Sequence, residues 1–561
     1  MRVADYVAKF LKSLGVNKVF MLTGYGAMYL NDAIKLSGIK YYTTRNEATA
    51  PIMAESFARI KKSIGVACVT AGPGSTNAIP GLAEAYVDSA PIIIISGQVD
   101  YKHTTHSTKS KNIRTFGTAE INIVPIVKSI TKYAQIIKNP EDTRYILEKA
   151  YHLATSGRQG PVWIDIPLDV QKSEIQVNKL KSFKIKKKKH SVYLINKKLN
   201  KIVKLIKKSS SPLIIVGNGV KQSGTKNVLN KIIQTTKIPT ILTRFAQDLF
   251  SHNEKYIFGQ GGVKGTRYCK KIMNSADLVL SFGCRLAPQF VGHDFSAFNN
   301  AKVVAVDIQK DELNKKGQKI DLPIKSDLSI FLPMLAQKIK NSYLPNYHNW
   351  LSYCTKLKNQ NPIISIKNQK NPIDLYYFME KLGNFSKAKD ILITDAGSNY
   401  YIGGQVWKFS KGQKELTSGT NAAMGLSVPL AIGAAVASPK SQILAVTGDG
   451  SLELNIQELK TISHNNFNIK LFVINNGGYV SMHNWADSFF KGRRLDTPKD
   501  TGDGTLNFKN IAKAFDLDHY LIKDVKKIDK DLRKILKVKK PLFIEVITDP
   551  RQKIFDAFRD H

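Results

Sequence analysis

The segment from residue 443 to residue 476 contains the most constraining pattern of the sequence. An apolar stretch, ILAVTG, ends at a Gly-Asp-Gly turn around Asp449, and a helical stretch leads to a second apolar stretch that ends at Asn475 and Asn476. Two apolar strands joined by a helix form a βαβ unit, and parallel strands end at the same edge of their sheet. The segment therefore predicts a parallel sheet with one carboxylate and two amides at one edge.

These side chains suit a divalent cation. Mg²⁺ prefers oxygen ligands in octahedral geometry and commonly takes few protein ligands beside the phosphates of a bound molecule. Gly448 and Gly450 flank Asp449 and let the backbone come close to such phosphates. A Gly-Asp-Gly triplet alone is more often a simple turn, but the spacing to Asn475 and Asn476 and the two flanking strands favour a binding site.

The full pattern, Gly-Asp-Gly followed after 24 residues by Asn-Asn, resembles the signature of thiamine-diphosphate enzymes. The resemblance implies that Asp449 and Asn476 ligate Mg²⁺ through their side chains. It also implies that Gly478 contributes its backbone carbonyl. We further expect Gly448, Gly450 and Ser451 to contact the cofactor.

Length and composition agree with a large globular protein. The 561 residues suffice for three or four domains, and 43% are hydrophobic and 23% charged. The four cysteines are far apart and form no CxxC pair, which disfavours a disulfide framework or a zinc site and fits a reducing cytoplasm. No signal peptide is expected, and the apolar runs have the length of strands, so no membrane partner is expected.

The formal net charge of +40 raises the question of a nucleic-acid partner. Lysine and arginine are spread along the chain, which indicates a compositional bias rather than a binding face. One dense run, Lys184 to His190, lies between two segments with folded patterns, and a solvated linker is the favoured interpretation. Nucleic acid is therefore an unlikely partner.

Short apolar strands alternate with helical patterns in three regions, which predicts an α/β protein with three doubly wound parallel-sheet domains. The resemblance to thiamine-diphosphate enzymes implies that the three regions are a pyrimidine-binding domain (1–175), a middle domain (191–345) and a diphosphate-binding domain (370–561). The predicted strands are KVFMLTG, IKYYTTRNE, GVACVTAG, PIIIISG and VWIDIP in the first domain, PLIIVGNG, IPTILTR, ADLVLSFG and KVVAVDI in the second, and ILITDAGSN, the two strands of the βαβ unit and PLFIEVIT in the third. A single helix is expected from Ser75 to Tyr86.

Glu47 is the candidate catalytic residue. By position alone it is a first-turn glutamate favoured by the helix dipole. However, the runs TTRNEATAPIMAESFAR and GVACVTAGPGSTNAIPGLAEAYVDSAPIIIISGQV are similar to the pyrimidine-binding domain of acetolactate-synthase-like enzymes. In that family the corresponding glutamate hydrogen-bonds the aminopyrimidine of the cofactor and promotes proton transfer. We expect Gly24, Gly72 and Asn77 to border the same cofactor.

Further residues of the third domain match the family. Gly397, Ser398 and Asn399 follow a strand and suit the diphosphate oxygens as hydrogen-bond donors. Met424 matches the apolar residue on which the family folds the cofactor into a V shape, although a core methionine is the alternative.

The middle domain of the family is either structural or binds FAD. Gly217-Asn218-Gly219 after a strand is a weak nucleotide signal by itself. The resemblance implies that FAD, if bound, has a structural and not a redox role. The residues that it assigns to FAD are Gly262, Lys264, Arg285 and Asp307.

The substrate pocket departs from the family pattern. Acetolactate synthases carry a phenylalanine-glutamine-glutamate run where this chain has Thr118-Ala119-Glu120, so Ala119 replaces the glutamine and puts plain acetolactate synthesis in doubt. Trp485 matches a tryptophan that shapes the acceptor pocket, and a buried packing role is the alternative.

Three functions stay open. The first is a carboligase that decarboxylates a 2-oxo acid such as pyruvate and passes the acyl unit to a second carbonyl, which includes acetyl transfer to a ketosugar nucleotide. The second is a simple 2-oxo-acid decarboxylase, and the third, least favoured, is a non-catalytic nucleic-acid-binding protein. The resemblance also implies a homodimer or homotetramer, in which Glu47 of one subunit faces Asp449 of another.

Overall fold

The structure is a computed structural model that describes residues 1–110, 112–185 and 192–557. It confirms the α/β class, because the described strands form three sheets of six strands each. Every pairing between neighbouring strands is parallel. Residues 186–190 of the lysine-rich run lie outside the described residues. Among the described helices, none combines the length and the hydropathy that crossing a bilayer requires.

The first sheet has the strand order β2-β1-β3-β4-β6-β5. Its strands are β1 (Lys18–Met21), β2 (Lys40–Thr43), β3 (Gly65–Val69), β4 (Ile92–Gln98), β5 (Tyr133–Ile136) and β6 (Val162–Pro167). The accompanying helices are α1 (Val3–Ser13), α2 (Met28–Leu36), α3 (Thr49–Lys61), α4 (Pro73–Asn77), α5 (Ile79–Val87), α6 (Thr105–Thr108), α7 (Ile123–Val127), α8 (Thr143–Thr155) and α9 (Leu168–Lys172).

The middle sheet has the order β12-β11-β10-β7-β8-β9. Its strands are β7 (Pro212–Val216), β8 (Thr240–Leu242), β9 (Ile257–Gln260), β10 (Leu278–Phe282), β11 (Lys302–Asp307) and β12 (Leu322–Lys325). Its helices are α10 (Val192–Lys208), α11 (Asn218–Gln222), α12 (Lys226–Thr236), α13 (Arg267–Ser275), α14 (Pro288–Val291), α15 (Lys310–Leu313), α16 (Leu328–Lys340) and α17 (His348–Gln360).

The third sheet has the order β14-β13-β15-β16-β18-β17, which is the connectivity of the first sheet. Its strands are β13 (Ile391–Thr394), β14 (Lys414–Thr417), β15 (Ile443–Gly448), β16 (Ile469–Asn475), β17 (Asp518–Ile522) and β18 (Leu542–Ile547). Its helices are α18 (Leu375–Phe385), α19 (Ser398–Val406), α20 (Ser427–Ala437), α21 (Asp449–Glu453), α22 (Leu459–His464), α23 (Val480–Phe489), α24 (Phe508–Ala514) and α25 (Ile528–Ile535).

The predicted βαβ unit is confirmed. β15 and β16 pair in parallel from Ile443 with Ile469 to Gly448 with Ile474, so both strands end at the same edge. Their central residues are buried, as expected for strands covered by helices on both faces. The connecting helix is broken, since a 3-10 turn at Ile456–Glu458 separates α21 from α22.

Two predictions of secondary structure were incomplete. The strands that the pattern missed, β5, β9, β12, β14 and β17, all lie at sheet edges. Edge strands are short and several are partly exposed, so their apolar signal is weak. The single helix expected from Ser75 to Tyr86 is two helices, α4 and α5, and Pro80 lies in the first turn of the second.

The first and third domains pack directly against each other through α3 and α20. A Cβ atom at Gly433 of α20 would lie 2.4 Å from the backbone oxygen of Met53 in α3. Beside it, Ser56 Oγ donates a 2.6 Å hydrogen bond to the carbonyl of Leu430. One continuous apolar core includes residues of both sheets, such as Ile94 and Ala445. This packing fixes the two sheets relative to each other.

Gly433→Ala should therefore destabilise the protein by about 1–3 kcal/mol, because the methyl group would overlap a backbone oxygen that cannot move alone. The matched control is Gly403→Ala in α19, where the nearest atom is the flexible end of Met379 at 3.1 Å. The control should be neutral or slightly stabilising, since alanine favours helix over glycine. Thermal denaturation of both variants measures the difference, and equal melting temperatures would contradict the packing role of Gly433.

Candidate functional site

The first half of the candidate site lies at the carboxyl edge of the first sheet, where Glu47 follows β2. Asn77 Nδ2 donates a 3.1 Å hydrogen bond to Glu47 Oε2. Glu47 is half-buried, and its Oε1 lies 3.4 Å from the position that a Cβ at Gly74 would take. The structure therefore brings the predicted residues Glu47 and Asn77 together. The Gly74 backbone packs against the Glu47 carboxylate.

Two further predicted glycines belong to this edge. A Cβ at Gly24 would lie 2.6 Å from Thr70, the residue that also crowds Gly74. Gly72 has φ +56°, and a Cβ there would lie 2.3 Å from the carbonyl oxygen of Ala119. Ala119 is exposed, and its backbone carbonyl borders this edge at Gly72.

Glu458 holds the Glu47 loop from the third domain, and sequence analysis missed it. Its Oε1 accepts hydrogen bonds from the Arg45 backbone N–H (2.7 Å) and Thr49 Oγ1 (2.8 Å), and its Oε2 accepts one from Thr461 Oγ1 (2.7 Å). The side chain is fully buried, and these donors compensate the burial of its charge. The loop is thereby tied to the 3-10 turn that follows α21 on both sides of Glu47, through the Arg45 backbone and the Thr49 side chain.

The second half of the candidate site lies at the carboxyl edge of the third sheet, around Asp449. Asp449 Oδ2 accepts hydrogen bonds from three successive backbone N–H groups, of Asn476 (3.0 Å), Gly477 (2.9 Å) and Gly478 (3.0 Å). Asp449 Oδ1 accepts one from Gly450 N–H at 3.0 Å. Burial raises the pKa of Asp449, and the four N–H groups act in the opposite direction. The carboxylate thus joins the ends of β15 and β16.

The two asparagines make different contacts. Asn475 Nδ2 donates a 2.7 Å hydrogen bond to Glu545 Oε1, which occupies it away from Asp449. Asn476 is buried beside Asp449. Asp449, Asn476 and the backbone carbonyl of Gly478, which accepts the Val480 N–H at 2.8 Å, are oxygen donors of the type that Mg²⁺ prefers. Within the described residues, no group of three His, Cys, Asp or Glu side chains is placed to hold a metal ion.

Asp395, which sequence analysis also missed, connects the remaining segments of this edge. Its Oδ2 accepts hydrogen bonds from Ser451 Oγ (2.8 Å) and Thr447 Oγ1 (3.0 Å), and its Oδ1 accepts one from Asn399 Nδ2 (3.2 Å). Ser451 Oγ in turn accepts the Gly425 N–H at 2.8 Å. Burial raises the pKa of Asp395 to about 6. Its position directly after an apolar strand was the available signal.

The other predicted residues of this edge surround Asp395. Gly397 precedes α19, and Ser398 and Asn399 are buried in its first turn. Asn399 Oδ1 is buried and has no hydrogen-bond partner among the described residues, so an acceptor stays available for a bound group. Met424 is half-buried next to Gly425.

Trp485 lies on α23, which follows Gly478. It is 53% exposed, so the alternative of a buried packing tryptophan is wrong for the single chain. Its ring stacks on Phe489 at a centroid distance of 5.3 Å.

The four residues assigned to FAD lie at or after the carboxyl ends of three strands of the middle sheet, β9, β10 and β11. Arg285 and Asp307 line a cavity of about 440 Å³ between the domains, whereas Gly262 and Lys264 are not part of its wall. Lys264 pairs with Asp556 of the C-terminal segment at 3.1 Å. The Gly262 loop also contacts the segment that follows Arg285, since Val263 N–H donates a 2.9 Å hydrogen bond to the Gln289 carbonyl.

Comparisons with known proteins agree with this arrangement. Residues 1–120, 199–335 and 395–546 match the families described as thiamine pyrophosphate enzyme N-terminal TPP binding domain, central domain and C-terminal TPP binding domain. Thiamine pyrophosphate is the same compound as thiamine diphosphate.

Similar proteins cover almost the whole chain. The acetolactate synthase large subunit of Lactococcus lactis is 30% identical over 98% of this chain and 93% of its own length. The probable acetolactate synthase large subunit of Methanocaldococcus jannaschii is 29% identical over 99% of this chain and 93% of its own length. Acetolactate synthase 1 of Nicotiana tabacum is 29% identical over 99% of this chain and 84% of its own length. By its three matched domains and by these relatives, the chain belongs to the thiamine-diphosphate-dependent, acetolactate synthase-like enzymes.

Proposed function

We propose that the protein is a carboligase that decarboxylates a 2-oxo acid, with pyruvate as the first candidate, and transfers the acyl unit to a second carbonyl compound. The observation that carries this proposal is the pair of organised sheet edges, one with Glu47 and one with Asp449. Each edge holds its carboxylate with hydrogen bonds from neighbouring turns. The relatives named acetolactate synthases support pyruvate and carboligation.

The third-domain edge would hold the cofactor by its diphosphate. Asp449, Asn476 and the Gly478 carbonyl would ligate Mg²⁺, whose oxygen preference they match. The remaining predicted contacts of the cofactor, other than those of the first domain, are Gly397, Ser398, Asn399, Met424, Gly448, Gly450 and Ser451. When bound, thiamine diphosphate supplies the electron sink that decarboxylation requires.

Glu47 would serve as the proton-transfer group. Asn77 donates to its Oε2, which orients the carboxylate and leaves Oε1 for a partner outside the chain. Glu458 keeps the loop backbone in place on both sides. A carboxylate held in this way can hold and pass a proton at one defined atom, which is the requirement for general acid–base catalysis.

Ala119 supports a second candidate acceptor. The small, exposed residue lies against Gly72 at the Glu47 edge, so this side of the pocket lacks the glutamine of acetolactate synthases. A larger acceptor, such as a ketosugar nucleotide, fits this departure. A simple decarboxylase is less favoured, because decarboxylases of this family often carry an adjacent His-His pair, whereas two threonines separate His103 from His106. The ring of His103 lies against Phe116.

FAD binding is proposed on the basis of one cavity between the domains. The cavity at Arg285 and Asp307 has a volume typical of small-molecule sites, which span about 300–1,000 Å³. Asp307 ends β11, where a carboxylate can bind ribose hydroxyls. Arg285 and Asp307 line this cavity, and Gly262 and Lys264 lie on a neighbouring loop that contacts Gln289.

The active enzyme should contain at least two copies of the chain. Among the described residues, no hydrogen bond joins Glu47 or Asn77 to the Asp449 turn. A large apolar side chain is exposed next to each edge. Tyr25, beside Gly24, is 72% exposed, and Met482, on the helix that follows Gly478, is 61% exposed. A second copy that places its Glu47 edge against the Asp449 edge would cover both. We therefore propose a homodimer or homotetramer with its sites between chains.

The function is tested by incubating purified protein with pyruvate, thiamine diphosphate and Mg²⁺, with and without FAD, and identifying products by mass spectrometry. A carboligation product is expected, either acetolactate or, if a ketosugar nucleotide must be added, its acetylated form. Acetaldehyde as the sole product would favour the decarboxylase. A reaction rate that is the same with and without FAD would show that catalysis does not require FAD.

Glu47→Gln should lower turnover by at least about 100-fold, because the amide cannot exchange the proton, while thiamine diphosphate affinity should stay within a few-fold. Glu148→Gln, which changes a half-buried glutamate on α8, is the control and should keep wild-type turnover. Steady-state kinetics and calorimetric titration with the cofactor separate the two effects. Near-normal turnover in Glu47→Gln would refute the assignment.

A further inference from the structure

The sequence contains the tetrapeptide Thr-Gly-Asp-Gly twice, at 447–450 and at 501–504. The first copy carries Asp449. The second copy lies in the loop between α23 and α24, and its aspartate, Asp503, was not singled out by sequence analysis. The structure places the second copy directly on the first, which gives the Asp449 edge a second carboxylate.

The Asp503 carboxylate occupies the space above two glycines of the candidate metal site. A Cβ at Gly450 would lie 2.3 Å from Asp503 Oδ1, and a Cβ at Gly478 would lie 2.3 Å from Asp503 Oδ2. Each oxygen therefore lies over the backbone of one glycine. Asp503 is only 7% exposed, although its loop is at the surface.

Backbone contact holds the second tetrapeptide in place. Gly504 has φ +70°, and a Cβ there would lie 2.6 Å from the Gly478 nitrogen and 3.0 Å from Asp449 Oδ2. A residue with a side chain could not make this approach, because it would be strained and would overlap Gly478. The loop thus brings Asp503 to Asp449 with no side chain between the two segments.

The two carboxylates share one run of backbone donors. The N–H groups of residues 476–478 donate to Asp449 Oδ2, and the next one, of Tyr479, donates to Asp503 Oδ2 at 3.0 Å. Asp503 Oδ1 accepts no hydrogen bond from the described residues. One carboxylate oxygen of Asp503 therefore stays available for a ligand.

No basic side chain compensates these charges. In the part of the chain that the structure describes, neither Asp449 nor Asp503 forms an ion pair. Besides burial, the neighbouring carboxylates of Asp449, Asp496 and Glu453 raise the pKa of Asp503, so the charges around it are acidic. This concentration of acid is unexpected in a chain of net charge +40. Two neighbouring buried carboxylates repel each other unless a cation lies between them.

We propose that Asp503 is a second carboxylate of the divalent-cation site, where it joins Asp449, Asn476 and the Gly478 carbonyl, either directly or through one water molecule. This inference rests on the proposed cofactor site and adds a residue of this chain to it. The cation would offset the repulsion between the carboxylates, and the 501–504 loop would become part of the wall of the diphosphate site. The alternative is that Asp503 only accepts the Tyr479 N–H at the start of α23.

The test is a titration of cofactor-free protein with Mn²⁺ in the presence of thiamine diphosphate, with free Mn²⁺ measured by electron paramagnetic resonance. Asp503→Asn keeps an oxygen acceptor for the Tyr479 N–H and removes only the charge. It should weaken Mn²⁺ binding by about 10- to 100-fold, the range for groups that support a metal site. Asp500→Asn, an exposed residue of the same loop, is the matched control and should bind Mn²⁺ like the wild type.

Two results would overturn the inference. Unchanged Mn²⁺ affinity in Asp503→Asn, together with a lower melting temperature in Asp503→Ala, would show that the side chain only accepts the Tyr479 N–H. Tighter binding of Mn²⁺ and thiamine diphosphate in Asp503→Asn would show that the carboxylate opposes the diphosphate. Failure of the proposed function is distinguishable, since the wild-type protein would then bind neither Mn²⁺ nor the cofactor.

Discussion

The close packing of α3 against α20 is the constraint on which both halves of the site depend. α3 begins two residues after Glu47, and α20 begins three residues after Met424. Because Gly433 lets the backbones of these helices approach, the loop in front of each helix is held relative to the other domain. Glu458 adds a polar connection to the same interface. The Glu47 edge and the Asp449 edge of one chain are therefore held at fixed positions relative to each other. In the proposed dimer, a second copy of the chain completes the site at each edge.

Buried carboxylates organise these edges without lysine or arginine. Asp395 connects three segments through hydroxyl and amide donors, and Asp449 collects four backbone N–H groups. Such donors stabilise a negative charge while leaving the net charge of the site negative. A negative, oxygen-rich edge attracts a divalent cation, and the cation can then accept the phosphates of a cofactor. The same reasoning makes Asp503 a candidate participant rather than an isolated loop residue.

Sequence reasoning succeeded where neighbouring residues or a strand pair carried the signal. The meeting of Asp449 with Asn476 followed from parallel strands that end at one edge, and the three α/β units followed from apolar strands between helical patterns. It failed where a contact joins distant segments. Glu458 and Arg45 are 413 residues apart, and nothing local indicates their hydrogen bond. The same holds for the ion pair of Lys264 with Asp556, which lies 292 residues further along the chain.

The most direct test of the account is complementation between two inactive variants, Glu47→Gln and Asp449→Asn. Co-expression with two different affinity tags allows the hybrid dimer to be isolated. If each centre combines Glu47 of one chain with Asp449 of the other, the hybrid has one intact centre and should reach about half of the wild-type rate with pyruvate. If both residues act within one chain, or do not act together, the purified hybrid will be as inactive as its parents. That result would contradict the account.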